Sequence, residues 1–338
     1  MDKGEMPKVS VVMPTYNRAD LLPDVVQSIL GQEYRNFELL IVDDGSTDHT
    51  DQVVYSIQEG DSRVRYHKLP ANKGLGFARQ AGLELAHGQY IALADHDDIW
   101  MPGKLQAQVN ALEAHPDIDI LFADFRNINH IAGTEAGGFD EARRGFNHLS
   151  SHQIGSGLWV VDSGFEIGIL DLDFIAPSTM MIRSSVISKV GGFNPNLMAT
   201  DHEFDFRAAA LGAKFAYHNC PMIYRHVYPS SISQRPIKAY LEVLDALAAC
   251  RQVCEKSQKM DLIKHVDFAA YRTYIQLMYG YGQAGQRSQA WTSYRKSLAY
   301  NFHIKDLVLL LVCLSGAWGV SWFERARKAE SKWFKKDQ

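Results

Sequence analysis

Four cysteines in 338 residues are too few and too scattered to staple a fold. Cys220, Cys250, Cys254 and Cys313 include no C-x-x-C pair, which argues against a disulfide scaffold and a thiolate metal site. Cys250 and Cys254 stand one helical turn apart and read as small buried apolar groups. The first residues, Met1 to Lys8, are short and charged and contain no secretory leader pattern. With the sparse cysteines, this predicts a reducing, cytoplasmic location. Neither sign of charge dominates: 35 Lys and Arg stand against 39 Asp and Glu, a formal net charge of −4. No general electrostatic attraction to nucleic acid follows from that balance. No G-x-G-x-x-G follows the first strand pattern, which disfavours a dinucleotide fold, and a G-x-x-x-x-G-K-[ST] phosphate loop is absent.

What is present is ordinary globular material, 46% hydrophobic and 22% charged, enough for one large domain or two smaller ones. The first third alternates strand and helix patterns. Val9–Met13 reads as a buried strand, after which Leu21, Leu22, Val25, Val26 and Ile29 recur at helical spacing. Phe37–Val42 is a second strand, followed by a helix from about Asp48 with Thr47 or Asp48 as its cap. Val64–His67 is a weaker strand, Lys73 to Ala86 a helix, and Tyr90–Ala94 a fourth strand. Met101-Pro102 opens another helix, and Ile118 to Ala123 closes the series. Alternation of this kind predicts an α/β fold with a mostly parallel sheet covered on both faces. From Gly133 to Gly157 the chain is rich in Gly, Ser and His and reads as a long mobile loop. From Ile237 to about Asn301 it reads as helical.

The polar residues that stand out all follow strands: Pro14-Thr15-Tyr16-Asn17, Asp43-Asp44-Gly45-Ser46 and Asp95-His96-Asp97-Asp98. In a parallel sheet such loops share one edge and converge where the strand order switches. Three carboxylates in the last of them repel one another unless a cation or ligand hydroxyl shares the site. Oxygen ligands suit a hard ion, Mg²⁺ or Mn²⁺, of the kind that also holds substrate phosphates.

These segments, in this order, resemble family 2 glycosyltransferases of the GT-A fold. The resemblance rests on Val9-Ser10-Val11-Val12-Met13-Pro14-Thr15-Tyr16-Asn17-Arg18, on Val42-Asp43-Asp44-Gly45-Ser46-Thr47-Asp48, on Asn72-Lys73-Gly74 with Ala78-Arg79, and on Asp95-His96-Asp97-Asp98-Ile99-Trp100. It covers residues 8–125 and continues more loosely to about 233. It implies transfer of a sugar from a nucleotide-sugar donor, UDP- or dTDP-linked, with inversion at the anomeric carbon. In that frame Tyr16 offers a flat face to the nucleobase, and Asp44 accepts hydrogen bonds from base or ribose. Pro14, Thr15, Asn17 and Asn72 line the donor, and Arg79 pairs with Asp44 or with a phosphate. Asp95 or His96 faces the ribose, and Asp97 holds the metal that neutralises the departing diphosphate.

Inversion also needs a base for the acceptor hydroxyl. By resemblance it is Asp201, six residues before Arg207; Glu203 remains open because Thr200 stands where relatives carry Glu. The competing reading of Asp201 is a helix cap. His226, in Tyr224-Arg225-His226-Val227-Tyr228, is a further candidate metal or phosphate contact, with Tyr228 competing for its place. Neither Q-x-x-R-W nor several spanning helices are present, which favours one sugar per event over processive synthesis. A sugar nucleotidyltransferase and a non-catalytic nucleotide-sugar-binding protein are the alternatives.

The expected organisation is a GT-A domain over 1–235, with a donor half (8–125) and an acceptor half (126–235), then a helical region over 236–338. Leu307 to Phe323 carries no charge and would reach about 25 Å as a helix, short of a bilayer core of about 30 Å. Trp318 and Trp322 beside Arg325, Arg327, Lys328, Lys332, Lys335 and Lys336 suit contact with an anionic membrane surface through 307–338. A buried C-terminal helix is the competing reading. The expected acceptor is a glycan or lipid-linked sugar of cell-surface polysaccharide assembly.

Overall fold

The computed structural model describes residues 6–228, 236–300 and 303–315. By its internal contacts the chain divides into Met1–Pro229 and Ser230–Gln338.

The first unit opens with β1 (Val9–Thr15), α1 (Leu22–Leu30), β2 (Phe37–Asp43), α2 (Thr50–Gly60), β3 (Val64–Lys68), α3 (Leu75–Leu85) and β4 (Tyr90–Leu93). β5 (Asp98–Trp100), α4 (Lys104–Ala114), β6 (Ile120–Asn129) and β7 (Thr134–Gly137) follow. Next come the short helices α5 (Gly138–Glu141) and α6 (Arg143–Phe146), β8 (Ser150–Gly155), β9 (Leu158–Ser163) and α7 (Phe165–Asp171). β10 (Met181–Arg183), α8 (Ser184–Val190), α9 (Thr200–Ala210) and β11 (Phe215–Val227) complete it. Among the described residues the strands form one sheet in the order β3-β2-β1-β4-β10-β6-β11-β9-β8, with β5 against β11 and β7 against β6. β3, β2, β1 and β4 are parallel, and β10 runs antiparallel to both β4 and β6.

β1 and β2 are buried along their whole length, which is why both read as unbroken apolar runs rather than alternating ones. α1 lays Leu22, Val25, Val26 and Ile29 onto the sheet, all at most 2% exposed. Burial of that kind is worth about 1.5–3 kcal/mol per side chain before chain entropy is counted. α3 lies so close to β1 that a Cβ at Gly82 would sit 2.3 Å from Val12 Cγ1.

Two local expectations are corrected. α2 starts at Thr50 with His49 at its cap position, and the Asp48 carboxylate instead accepts the Thr50 and Ala19 amides. Gly133–Gly157 is built from strands and short helices rather than being a loop. Its glycines permit close packing, as at Gly138, where a Cβ would lie 2.5 Å from the Phe125 ring. Phe139 and Phe146 stack at 4.4 Å and join Phe122, Phe174 and Tyr217.

The second unit holds α10 (Pro236–Lys256), α11 (Met260–Gln283), α12 (Arg287–Ser297) and α13 (Ile304–Leu314). Met278, Ala290, Tyr294, Leu310 and Cys313 form a core there. Cys250 and Cys254 are buried in this unit. Among the described residues no helix is long and apolar enough to cross a membrane. Leu307 and Leu311 are exposed on α13 (42% and 63%); the rest of the expected membrane segment, 316–338, lies outside the described residues.

Candidate active site

β1 and β4 are neighbours from which the strand order departs in opposite directions, so their carboxyl ends form the switch point of the sheet. The β1 chain leaves through Pro14 and Thr15. Val12 O accepts the Ala94 amide and Thr15 O accepts the Asp44 amide, so the Pro14 ring nitrogen faces β4 just where that ladder has ended. A missing N–H forfeits nothing there. Thr15 is buried, and its hydroxyl makes no hydrogen bond. Tyr16 is 40% exposed, leaving a ring face open. Asn17 adopts φ +52, a left-handed conformation that Asn tolerates. Its amide donates to Ser46 Oγ (2.8 Å), and its Oδ1 accepts the amides of Thr47 (2.8 Å) and Asp48 (3.4 Å). Its side chain therefore ties the first loop to the second.

In that second loop Asp44 accepts the amides of Lys73 (2.7 Å) and Gly74 (2.8 Å). Burial pushes its carboxyl above the usual range, against the pull of those two amides. The contact depends on Gly45 at φ +74, where a Cβ would meet Ala71 C at 2.6 Å and Asn72 N at 2.7 Å. Asn72 is exposed in the same stretch.

The acidic loop follows β4. The Asp95 amide donates to Ser178 Oγ (2.8 Å), and Ser178 also hydrogen-bonds the Asp98 carboxylate. His96 is clamped between Arg18 Nε, 3.1 Å from its Nε2, and Pro14 O, 3.4 Å from its Nδ1. Asp98 is 2% exposed and opposite Arg225 in the β5–β11 register. Burial, then Asp97 and Asp95, push its carboxyl well above the usual range. Burial also raises Asp97, followed by Asp95, while His96, Arg225 and Arg18 oppose the rise.

Arg79 joins this loop to α9. It is 2% exposed, with Nη2 2.8 Å from Asp95 Oδ1 and Nη1 3.7 Å from Asp201 Oδ1. Its partners are thus Asp95 and Asp201, not Asp44, which accepts the 73–74 amides. Asp201 occupies the second position of α9, whose cap residue is Ala199 with no side-chain cap bond, so it does not cap the helix. Burial, Asp173 and Asp95 raise its carboxyl, while Arg79 lowers it. His226, on β11, lies within electrostatic reach of Asp97. Its Nδ1 is engaged by His130 Nε2 (2.8 Å) and the Tyr228 hydroxyl (3.3 Å), which leaves Nε2 for any ligand. Arg18, Ser178 and Arg225 also reach the acidic loop. Arg18 and Arg225 sit inside motifs that the sequence marks, and Ser178 opens the stretch Ser178–Arg183, which also fits the family pattern.

Among the described residues no three His, Cys, Asp or Glu side chains gather into a metal-holding group. The donor set fits an ion nonetheless. Asp97 and Asp95, both partly buried, bring negative charge together in one loop, and Mg²⁺ or Mn²⁺ is commonly held by one or two carboxylates, with phosphates and water completing the sphere.

A mostly parallel sheet that brings an open aromatic face, a buried acid and a carboxylate pair to its switch point has the ligand-site arrangement of an α/β protein. The family described as Glycosyl transferase family 2 matches residues 10–166. An uncharacterized glycosyltransferase of Methanocaldococcus jannaschii is 30% identical over 224 residues, 63% of this chain and 69% of that protein. The chain belongs to glycosyltransferase family 2. The putative teichuronic acid biosynthesis glycosyltransferase TuaG of Bacillus subtilis is 41% identical, over 30% of this chain and 41% of its own length. WfgD of Escherichia coli, a UDP-Glc:alpha-D-GlcNAc-diphosphoundecaprenol beta-1,3-glucosyltransferase, is 35% identical over 36% of this chain and 47% of its own. The chain thus spans about two fifths to one half of the length of these last two. The fold is that of mannosyltransferase PcManGT from Pyrobaculum calidifontis, solved with GDP-Man and Mn²⁺ (TM-score 0.58, 17% identity, covering 92% of this chain and 80% of that one). It is equally that of S. aureus TarS with UDP-GlcNAc (TM-score 0.55, 16% identity, covering 86% and 90%). The GT-A expectation is borne out.

Proposed function

We propose that this protein transfers one sugar per event from a UDP- or dTDP-linked donor to a glycan or lipid-linked acceptor, with inversion, in cell-surface polysaccharide assembly. The observation that carries the reading is the gathering of Tyr16, Asp44, Asp95, Asp97 and Asp201 at one end of the sheet, with Arg79 joining the donor-side and acceptor-side acids. The names of TuaG and WfgD support the pathway and the lipid-linked acceptor.

Tyr16 receives the base, and Asp44 braces the 72–74 loop beside it while keeping lone pairs for base or ribose. Pro14, Thr15, Asn17 and Asn72 shape that pocket, and Asp95 and His96 border the ribose. Asp97 would hold Mg²⁺ or Mn²⁺, with His226 as a second contact, and the ion would offset the charge of the departing nucleoside diphosphate. Asp201 takes the proton from the acceptor hydroxyl as that oxygen attacks the anomeric carbon from the face opposite the leaving group. The exposed Leu307 and Leu311 and the basic composition of 325–336 support a peripheral contact with the cytoplasmic membrane face.

The test is donor binding and turnover across UDP-, dTDP- and GDP-sugars, with and without Mn²⁺, for wild type and Asp97→Ala. Metal-dependent turnover of one donor, lost in Asp97→Ala, is expected. Absence of nucleotide binding under every condition overturns the reading.

A further inference from the structure

We propose that Arg79 is a positioning residue that acts through Asp201, fixing the carboxylate that serves as base, rather than a contact to the donor. The inference rests on the glycosyltransferase reading above and assigns Arg79 a different task from the phosphate or Asp44 pairing expected of it.

The guanidinium is buried, 2% exposed, and one end is bonded to Asp95 at 2.8 Å. The other end, Nη1, has no hydrogen bond and stands 3.7 Å from Asp201 Oδ1, an ion pair held slightly apart. The Phe193 ring lies 5.8 Å from the guanidinium carbon. Drawing the guanidinium away from both carboxylates would be costly for a buried cation. A planar fork can serve two carboxylates at once; the single ammonium of lysine, on a flexible stem, cannot hold both in the same geometry.

The surrounding backbone makes that spacing rigid. At Gly76 on α3 a Cβ would lie 2.4 Å from Leu197 O and 2.5 Å from Asn194 O, so α3 is seated against the segment leading into α9. Gly82 seats the same helix on β1. Arg79 is thus anchored on one side to the strand that supports the donor loop and on the other to the helix bearing Asp201.

The ionisable groups around Asp201 are Arg79 on α3, Asp95 after β4, Asp173 before β10 and Asp205 on α9. Of these, three are acids that disfavour its charged form, and Arg79 opposes them. A base must be ionised to accept a proton, so removing Arg79 withdraws the charge that favours the working form.

The experiment is the pH–rate profile of transfer, with the donor that wild type turns over, for Arg79→Met and Arg79→Lys. UDP affinity and thermal unfolding are recorded alongside. In Arg79→Met the acid limb of kcat is expected to move up by about one to three pH units, with kcat recovering toward wild type in alkali. UDP affinity should stay within about threefold of wild type, and Arg79→Lys should fall between the two. Weaker UDP binding by about tenfold or more with an unmoved limb would make Arg79 a donor contact and overturn the proposal. A uniform fall in kcat at every pH, or failure of both variants to fold, would reduce Arg79 to scaffold and overturn it equally. Wild type that transfers from no donor removes the underlying reading before any variant is compared, so the two failures are distinguishable.

Discussion

Glu203 and Arg207 close on each other in a two-pronged ion pair, Nε to Oε1 at 2.7 Å and Nη2 to Oε2 at 3.1 Å. Arg207 also donates to the carbonyls of Val190 and Gly192, so the pair stitches α9 to the end of α8. Both oxygens of Glu203 are committed, and its side chain is 4% exposed. Asp201 is 24% exposed and has a longer ionic contact. Asp201 thus has the more accessible and less tightly paired carboxylate of the two, which favours it over Glu203 as the proposed base.

Asp201→Asn should therefore lower kcat by about 10²–10⁴-fold while leaving the fold and UDP affinity intact. Glu203→Gln should keep kcat per folded molecule within a few-fold and lose stability on the order of 3 kcal/mol, because Arg207 is left incompletely paired. Steady-state kinetics and urea unfolding on both variants decide it. Turnover that survives Asp201→Asn and disappears in a fully folded Glu203→Gln would move the base to Glu203.

The β1–β4 half of the sheet was legible because its signals are local. Strands buried on both faces read as apolar runs, and the polar residues after them stand out against that background. Partnership was not legible. Arg79 meets Asp95 and Asp201 only once β4 and α9 are brought together, and neither spacing carries a helical or strand period. The 133–157 segment fails for a related reason. Its strands are short and polar, and its order comes from Phe139 and Phe146 meeting Phe122 and Tyr217, residues of distant strands. Glycine there reports close packing, which in sequence looks the same as looseness.

That packing can be tested directly. Phe139 is 7% exposed, and Phe139→Ala should cost about 3–5 kcal/mol of stability in denaturant unfolding. In the wild type, amides of α5 and α6 should exchange slowly with solvent deuterium. Exchange at the rate of an unstructured peptide would restore the mobile-loop reading.

Gly45 controls the support beneath Asp44. Its φ of +74 and the backbone atoms 2.6–2.7 Å from a would-be Cβ leave no room for a methyl group. Gly45→Ala should push the 71–74 stretch away, break the Lys73 and Gly74 bonds to Asp44, and cost about 1–3 kcal/mol. UDP affinity should fall by about tenfold or more. Calorimetric titration of UDP into the folded variant is the check, and unchanged affinity would detach this loop from donor binding.

Lys104 supplies a prediction in pH. It is 1% exposed on α4, with Nζ 2.8 Å from Gln108 Oε1 and 3.8 Å from the centroid of the Trp100 ring. Burial pushes its pKa down from 10.5 to about 7, and burial together with Lys104 pushes His218 down to about 4. Below pH 7 Lys104 is protonated in both folded and unfolded chains, and the cost of burying that charge is fully present. Between about 7 and 10.5 the unfolded chain holds more protons, so the Lys104 contribution makes stability rise with pH, by up to about 1.4 kcal/mol per unit. His218 adds no slope there, because it is neutral in both states. Lys104→Met removes this contribution, so the stability of wild type relative to the variant should climb steadily from pH 7 to 10. Urea unfolding of both proteins across that range measures the difference, and curves that stay parallel would show that Lys104 keeps its proton in the folded chain.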